Sequence, residues 1–260
     1  MPQSLDNIDP SVQYTLLKGD PGTTKSSQAL TYPKPQYWFP FDGKMQSLAR
    51  AMKAHNIKGS DIHYDPYDTF GPALKKLEQF KLSCDYKTIV IDSITSGSDL
   101  ALRDIRKNKG TGGSDKGSTR TVGGFEVNIL EDYNGEASAL SELIWLTRYL
   151  FENKGINIVL IAHVIRKDEK SKDGKINIVR QIVTAAKAAA QKIPAYCTEI
   201  YQFDAEPSLT GGVPKIIVKT VGTTEDYART SLPLEPEIEL NYDNLYEGYV
   251  LPAINLLKGV

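Results

Sequence analysis

The chain has 260 residues, 24% of them charged and 40% hydrophobic, with a net charge of −1; that fits one α/β domain with additions, or at most two small domains, around a substantial core. Balanced charge excludes a globally basic nucleic-acid binder, so a polyanion would have to be met by local patches. Two cysteines, Cys84 and Cys197, without CxxC spacing exclude a zinc-ribbon or disulfide framework and suit a reducing compartment.

Residues 1–11 are polar, with Pro2 and Pro10, and read as an arm. The apolar run Val12–Leu17 then predicts a strand leading into Gly19-Asp20-Pro21-Gly22-Thr23-Thr24-Lys25-Ser26-Ser27, with Ser26–Leu30 able to open a helix. A glycine-rich turn between a strand and a helix brings backbone N–H groups onto a phosphate. In that reading Gly19 and Gly22 let the chain wrap the anion, Lys25 reaches the β/γ oxygens, and the Ser26 hydroxyl holds Mg²⁺. Thr24 stands where such loops usually carry a second glycine, and a β-branched residue is strained if φ must be positive there. An ordinary Gly/Pro turn is the alternative.

Gln36–Phe41 reads as a second strand that ends at Asp42-Gly43-Lys44. A carboxylate there is placed to orient or deprotonate a water near a γ-phosphate, the alternative being a plain turn residue before Gly43. Met45–His55 has helical spacing, Asp61–Tyr67 suggests a short strand, and Pro72–Phe80 a helix. His55 and His63 belong to no ligand constellation. Lys87–Ser93 (KTIVIDS) has the continuous β-branched run of a buried parallel strand, with Asp92 at its end as the metal-associated acid.

Leu102–Gly124 turns to Gly, Ser, Thr and basic residues: Arg103, Arg106, Lys107, Lys109, Lys116 and Arg120 against Asp104 and Asp115. It reads as a mobile excursion that gains order on DNA, or as a solvated insertion. Glu136–Glu152 is the clearest amphipathic helix, with Trp145 assigned to packing. Ile156–Ala162 is another buried strand, ending at His163, which is placed to sense a γ-phosphate. Arg166–Gln181 follows as a second basic loop, with Arg166, Lys167, Lys170, Lys172, Lys175 and Arg180. Thr184–Lys192 suggests a short helix, and Thr198–Phe203 and Pro214–Val221 form a hairpin turned at Gly211-Gly212. Residues 241–260 read as an acidic, Tyr-bearing C-terminal tail. Neither a signal-peptide pattern nor an apolar run of transmembrane length is present, so the expectation is a soluble intracellular protein with no membrane partner.

This order of motifs, with Val159-Leu160-Ile161-Ala162-His163 between the Ile89–Ser93 strand and the late hairpin, resembles the RecA-like P-loop ATPases over residues 12–235. It looks closest to the small phage-encoded RecA-like ATPases of AAA type. The resemblance implies an α/β fold with a mostly parallel central sheet flanked by helices and a C-terminal β-hairpin extension, one ATPase domain over 12–240, and ATP and Mg²⁺ as cofactors. It implies Asp42 as the water-activating acid, where RecA proteins use Glu, and His163 as the coupling residue, where RecA has Gln. The two basic stretches take the place of DNA-facing loops, and Lys219 and Arg229 are candidates for reaching a neighbour's nucleotide within a ring or filament. The expected function is Mg²⁺-dependent, DNA-stimulated ATP hydrolysis on single-stranded DNA in phage-type recombination or replication, in the host cytoplasm. The alternatives are a nucleotide-binding switch or structural module with little hydrolysis, and a small-molecule or nucleotide kinase, disfavoured for want of a lid or acceptor-base motif.

Overall fold

A computed structural model describes residues 9–54, 56–109, 120–122, 125–127, 130–170, 176–207, 214–223, 226–240 and 244–259. In chain order the elements are β1 (Tyr14–Gly19), α1 (Lys25–Ala29), β2 (Gln36–Pro40), α2 (Met45–Ala54), β3 (Ile62–Tyr64), α3 (Gly71–Leu82), β4 (Thr88–Asp92), α4 (Ile94–Lys109), β5 (Arg120–Val122), β6 (Phe125–Val127), α5 (Leu130–Lys154), β7 (Asn157–Lys170), β8 (Ile176–Ile182), α6 (Lys187–Tyr196), β9 (Glu199–Glu206), β10 (Lys215–Lys219), β11 (Glu237–Leu240) and α7 (Leu251–Lys258). The central sheet runs β11-β10-β9-β1-β7-β4-β2-β3, and β8 branches from β7. From β3 across to β9 the pairing is parallel, while β10 and β11 continue the edge antiparallel.

The central strands read as unbroken apolar runs because both of their faces are covered. On one face Tyr14, Leu16, Phe39, Ile91 and Leu160 pack with residues of α3, α4, α5 and α6. On the other, Leu17, Trp38, Val90, Val159 and Phe203 pack with residues of α1, α2 and α7. β7 lies between β1 and β4, so Gly19 is in register with His163, and Asp92 pairs with Pro40 on one side and Ile161 on the other. The C-terminal ends of β1, β2 and β4 therefore meet the end of β7's parallel stretch, at His163, along one edge, where open α/β sheets leave their ligand crevice.

Several expected boundaries shift. Arg103, Arg106, Lys107 and Lys109 lie on α4, which continues to Lys109 rather than breaking into a loop at 102. Leu100, Ala101 and Leu102 are buried, and α4 approaches α5 so closely at Gly135 that a Cβ there would come within 3.0 Å of Ile105 Cδ1. The Asp104 carboxylate also caps α3, accepting from Phe70 N at 2.5 Å. Lys116 and Lys172 lie outside the described residues, as do Lys175, His55 and the Gly211-Gly212 turn. Arg120 opens β5, a short strand paired with β6.

The second basic stretch is an antiparallel hairpin rather than a loop: β7 runs on to Lys170 and pairs with β8, from Val164↔Ile182 to Lys170↔Ile176. α5 begins at Leu130, a turn and a half before the expected start. Trp145 is 52% exposed rather than packed, with the Lys81 ammonium 4.4 Å from its ring centroid. The C-terminal segment is no loose tail. Leu245, Tyr246, Val250, Ala253 and Ile254 are buried, the Tyr246 ring packs at a tilt with its centroid 4.7 Å from that of Tyr32, and Leu245 N donates to Gln28 Oε1 at 2.8 Å, which clamps the end of α1. The hairpin of β9 and β10 is present and gains a third strand, β11.

Candidate active site

β1 delivers its last residue against β9 with no room for a side chain: a Cβ on Gly19 would lie 2.3 Å from the Phe203 carbonyl oxygen. The chain then turns through Asp20–Thr24, with Gly22 at φ 83° and Thr24 at φ 62°, both left-handed. Such residues turn a loop's amides toward one side. For Gly22 the conformation is free; for Thr24 it is strained, and its side chain makes no capping bond in return. α1 has only five residues, so its macrodipole is small and the loop amides must supply most of the attraction for an anion.

Lys25 begins α1 and is buried at 4% exposure. Its ammonium donates to Gly19 O at 3.0 Å, Asp20 O at 2.8 Å and Thr23 Oγ1 at 3.1 Å. Burial lowers its pKa to about 8, and the charges of Asp92 and Asp20 oppose that fall. Asp92, at the end of β4, is itself 9% exposed. Burial and then the neighbouring Asp42 push its carboxyl up to about 6, against the hydrogen bond from Ser26.

Asp42 reaches the same place from β2. A tight turn with Gly43 at φ 68° brings Gly43 N onto Pro40 O at 3.1 Å, and Asp42 N sits 3.4 Å from Asp92 O. Its carboxylate accepts from Lys44 N at 3.0 Å and pairs with the Lys44 ammonium at 3.3 Å. His163 donates its backbone N–H to Thr95 Oγ1 at 3.1 Å, while its buried ring Nδ1 has no hydrogen-bond partner. Burial, with Lys25 and Lys44 nearby, lowers its pKa, so the ring is neutral at pH 7.

One cavity of about 350 Å³ gathers Pro21–Ser27, Asp42, Lys44, Asp92 and His163, walled by Ser47, Leu48 and Ala51 of α2. Sequence reading assigned Lys44 and that face of α2 no role, although Ser47, Leu48 and Ala51 share a helix face by spacing. The donor set suits a hard cation. A buried, partly uncompensated carboxylate at Asp92 already holds the Ser26 hydroxyl, and Mg²⁺ typically takes one or two such protein oxygens and completes its shell with phosphate and water. Among the described residues no group of three or more His, Cys, Asp or Glu forms an all-protein metal cage.

The other predicted residues fall elsewhere. Lys219 is held by Asp204 and Asp226, each at 3.1 Å, and Arg229 donates to the carbonyls of Cys197 and Ala195. Arg166 and Lys167 lie on the outer part of β7, with Lys167 Nζ 2.9 Å from Gln181 Oε1.

A strand, glycine loop and helix that bury a lysine beside a strand-end acid define a P-loop nucleotide-binding domain. The chain belongs to the family of AAA domains, whose profile matches residues 13–232. That membership brings nucleotide binding and, for the family in general, ATPase activity. No curated protein matches the chain. Among the described residues no helix is long and apolar enough to cross a membrane.

Proposed function

We propose that the protein is a Mg²⁺-dependent, RecA-like ATP hydrolase that acts on single-stranded DNA in phage-type recombination or replication and self-associates to do so. The observation that carries the hydrolytic reading is the convergence of Lys25, Ser26, Asp42, Asp92 and His163 on one cavity along that edge of the sheet. Lys25 and the loop amides bind the phosphates. Ser26 and Asp92 would hold a magnesium ion, which would supply charge neutralisation at the phosphates. Asp42 accepts the proton of a water positioned in line with the terminal phosphoryl group. His163 lines the same cavity, and its neutral ring keeps one nitrogen without a protein partner, which can accept a hydrogen bond from that water.

The DNA reading is supported by covalent continuity. β7 carries His163 at the cavity and runs on without a break into the hairpin bearing Arg166, Lys167 and Lys170. α4 starts two residues after Asp92 and bears Arg103, Arg106, Lys107 and Lys109. A shift at either strand end thus reaches a basic segment. In an assembly, Lys219 or Arg229 acts in trans only by giving up the partners it has in its own chain.

The test is ATP turnover with and without single-stranded DNA, for wild type and for Lys25→Ala and Asp92→Ala. DNA-stimulated turnover that both variants abolish is the expected result. Nucleotide binding without turnover would favour the switch reading, which the strained Thr24 and the Lys44-paired Asp42 also support. Neutralising Arg166, Lys167 and Lys170 should weaken DNA binding and flatten its salt dependence; unchanged affinity would remove the hairpin from the interface. Mixing Lys219 or Arg229 variants with a Lys25 variant should restore turnover if the cations act in trans, and no recovery at any ratio refutes that role.

A further inference from the structure

Lys25 is not the only cation facing the cavity. Its three ammonium donors are directed at Gly19 O, Asp20 O and Thr23 Oγ1, so in this arrangement it lends the site charge but has no spare hydrogen. Across the cavity stands Lys44, fixed at its base and largely exposed along its side chain. The turn before it is set by the Gly43 N to Pro40 O bond and by Gly43's φ of 68°, a conformation only glycine takes without strain. Lys44's own N–H is anchored on Asp42 Oδ1 at 3.0 Å. Its ammonium touches Asp42 Oδ2 at 3.3 Å, while the side chain as a whole is 68% exposed and can pivot.

Charge decides what that amine is for. Asp42 and Asp92 both line the cavity, and Asp42 N sits 3.4 Å from Asp92 O, so two carboxylates already share the place. A water activated by Asp42 must lie between that carboxylate and a terminal phosphoryl group, which brings a third anion to the same place. Each such like-charge contact in a partly dehydrated site opposes binding of the terminal phosphoryl group. Lys44 is the cation positioned to offset it, because it already sits on the Asp42 side of the cavity.

Resting on the nucleotide-site reading above, we infer that Lys44 is a second phosphate-binding cation, one that reaches the terminal phosphoryl group from the β2–α2 turn. It thereby makes the cavity favour a nucleoside triphosphate over a diphosphate. Contact with the phosphoryl group draws the ammonium off Asp42, so the same movement that recognises the triphosphate leaves the carboxylate able to accept a proton.

Calorimetric titration with ADP and with a non-hydrolysable ATP analogue, both with Mg²⁺, tests this on wild type, Lys44→Gln, Lys44→Arg and Lys25→Ala. A lost charge-assisted hydrogen bond predicts that Lys44→Gln weakens analogue binding roughly tenfold or more, with ADP affinity changed less than twofold. Lys44→Arg should retain most of the discrimination. Lys44 is exposed, so both variants should melt close to wild type. Equal effects of Lys44→Gln on the two nucleotides, or none on either, overturn the inference while a defective Lys25→Ala leaves the nucleotide site standing. Wild type that binds neither nucleotide, or Lys25→Ala that binds as wild type does, overturns the site itself and this inference with it.

Discussion

Thr24 offers the sharpest test of the loop, because its backbone is left-handed at φ 62°, ψ 10° and nothing visible repays that conformation. The side chain is exposed and makes no capping bond, and the main-chain bond from Gln28 N to Thr24 O, at 3.0 Å, survives any substitution. A left-handed L-residue costs roughly 1–2 kcal/mol, and Thr24→Gly removes that cost. Glycine also gains freedom in the unfolded chain, which takes back roughly 0.5–1 kcal/mol. The net stabilisation is about 0.5–1 kcal/mol, or a rise in Tm of about 1–4 °C for a domain of this size. Thr24→Ala keeps a Cβ on the same backbone and should gain nothing. Thermal melts of the three proteins decide it: a Gly variant that melts below wild type, or an Ala variant that gains as much as Gly, would refute the strain argument. Nucleotide affinity of Thr24→Gly should be equal to or tighter than wild type.

Gly19→Ala places a Cβ 2.3 Å from the Phe203 carbonyl oxygen, and forcing β1 from β9 should cost about 1–3 kcal/mol in urea unfolding; an unchanged midpoint would contradict that packing. Lys18, 2% exposed on the same strand, has its pKa lowered by burial from 10.5 to about 8, with Asp226 opposing. The folded state therefore holds that proton less tightly than the unfolded chain, a penalty present in full below pH 8 and fading as pH rises toward 10.5. Lys18→Met should be the more stable protein at pH 7, by at most about 3 kcal/mol, and should lose that advantage at pH 10; denaturant melts showing no pH-dependent gap would rule this out. Asp92 is raised from 3.8 to about 6, so its penalty is present above pH 6 and disappears as pH falls toward 4. In EDTA, Asp92→Asn should exceed wild type in stability at pH 8 and converge with it at pH 4, while losing turnover; a constant gap across that range would count against the burial account.

What the sequence made legible follows from what local chemistry fixes. The Gly19–Ser27 loop, the buried runs ending in Asp92 and His163, and the turn at Asp42 each announce themselves within a few residues, and the strand ends that they predict do meet in one cavity. Composition misled where tertiary contacts override it. Basic residues and glycines past Leu102 suggested a loop, yet Ile105 packs on α5 and carries the helix forward. The hairpin of β7 and β8 has a period-two signal in Ile176, Ile178, Arg180 and Ile182 that the density of lysines obscured. Arg180 turns to Asp204 and Asp226, a pairing across distant strands that no local pattern displays. The C-terminal helix was present in the spacing of Leu245, Tyr246, Tyr249, Val250, Ala253 and Ile254, but its docking beside α1 depends on the whole fold.

On the proposed reading, this cavity binds ATP through Lys25 and cleaves it with Asp42. The most direct measurement is single-turnover ATP hydrolysis with Mg²⁺ and single-stranded DNA, alongside nucleotide binding, for wild type and Asp42→Asn. Asp42→Asn should bind the triphosphate at least as tightly as wild type and cleave it at least roughly 100-fold more slowly, about the effect of losing a positioned general base. Equal cleavage rates in the two proteins would contradict it.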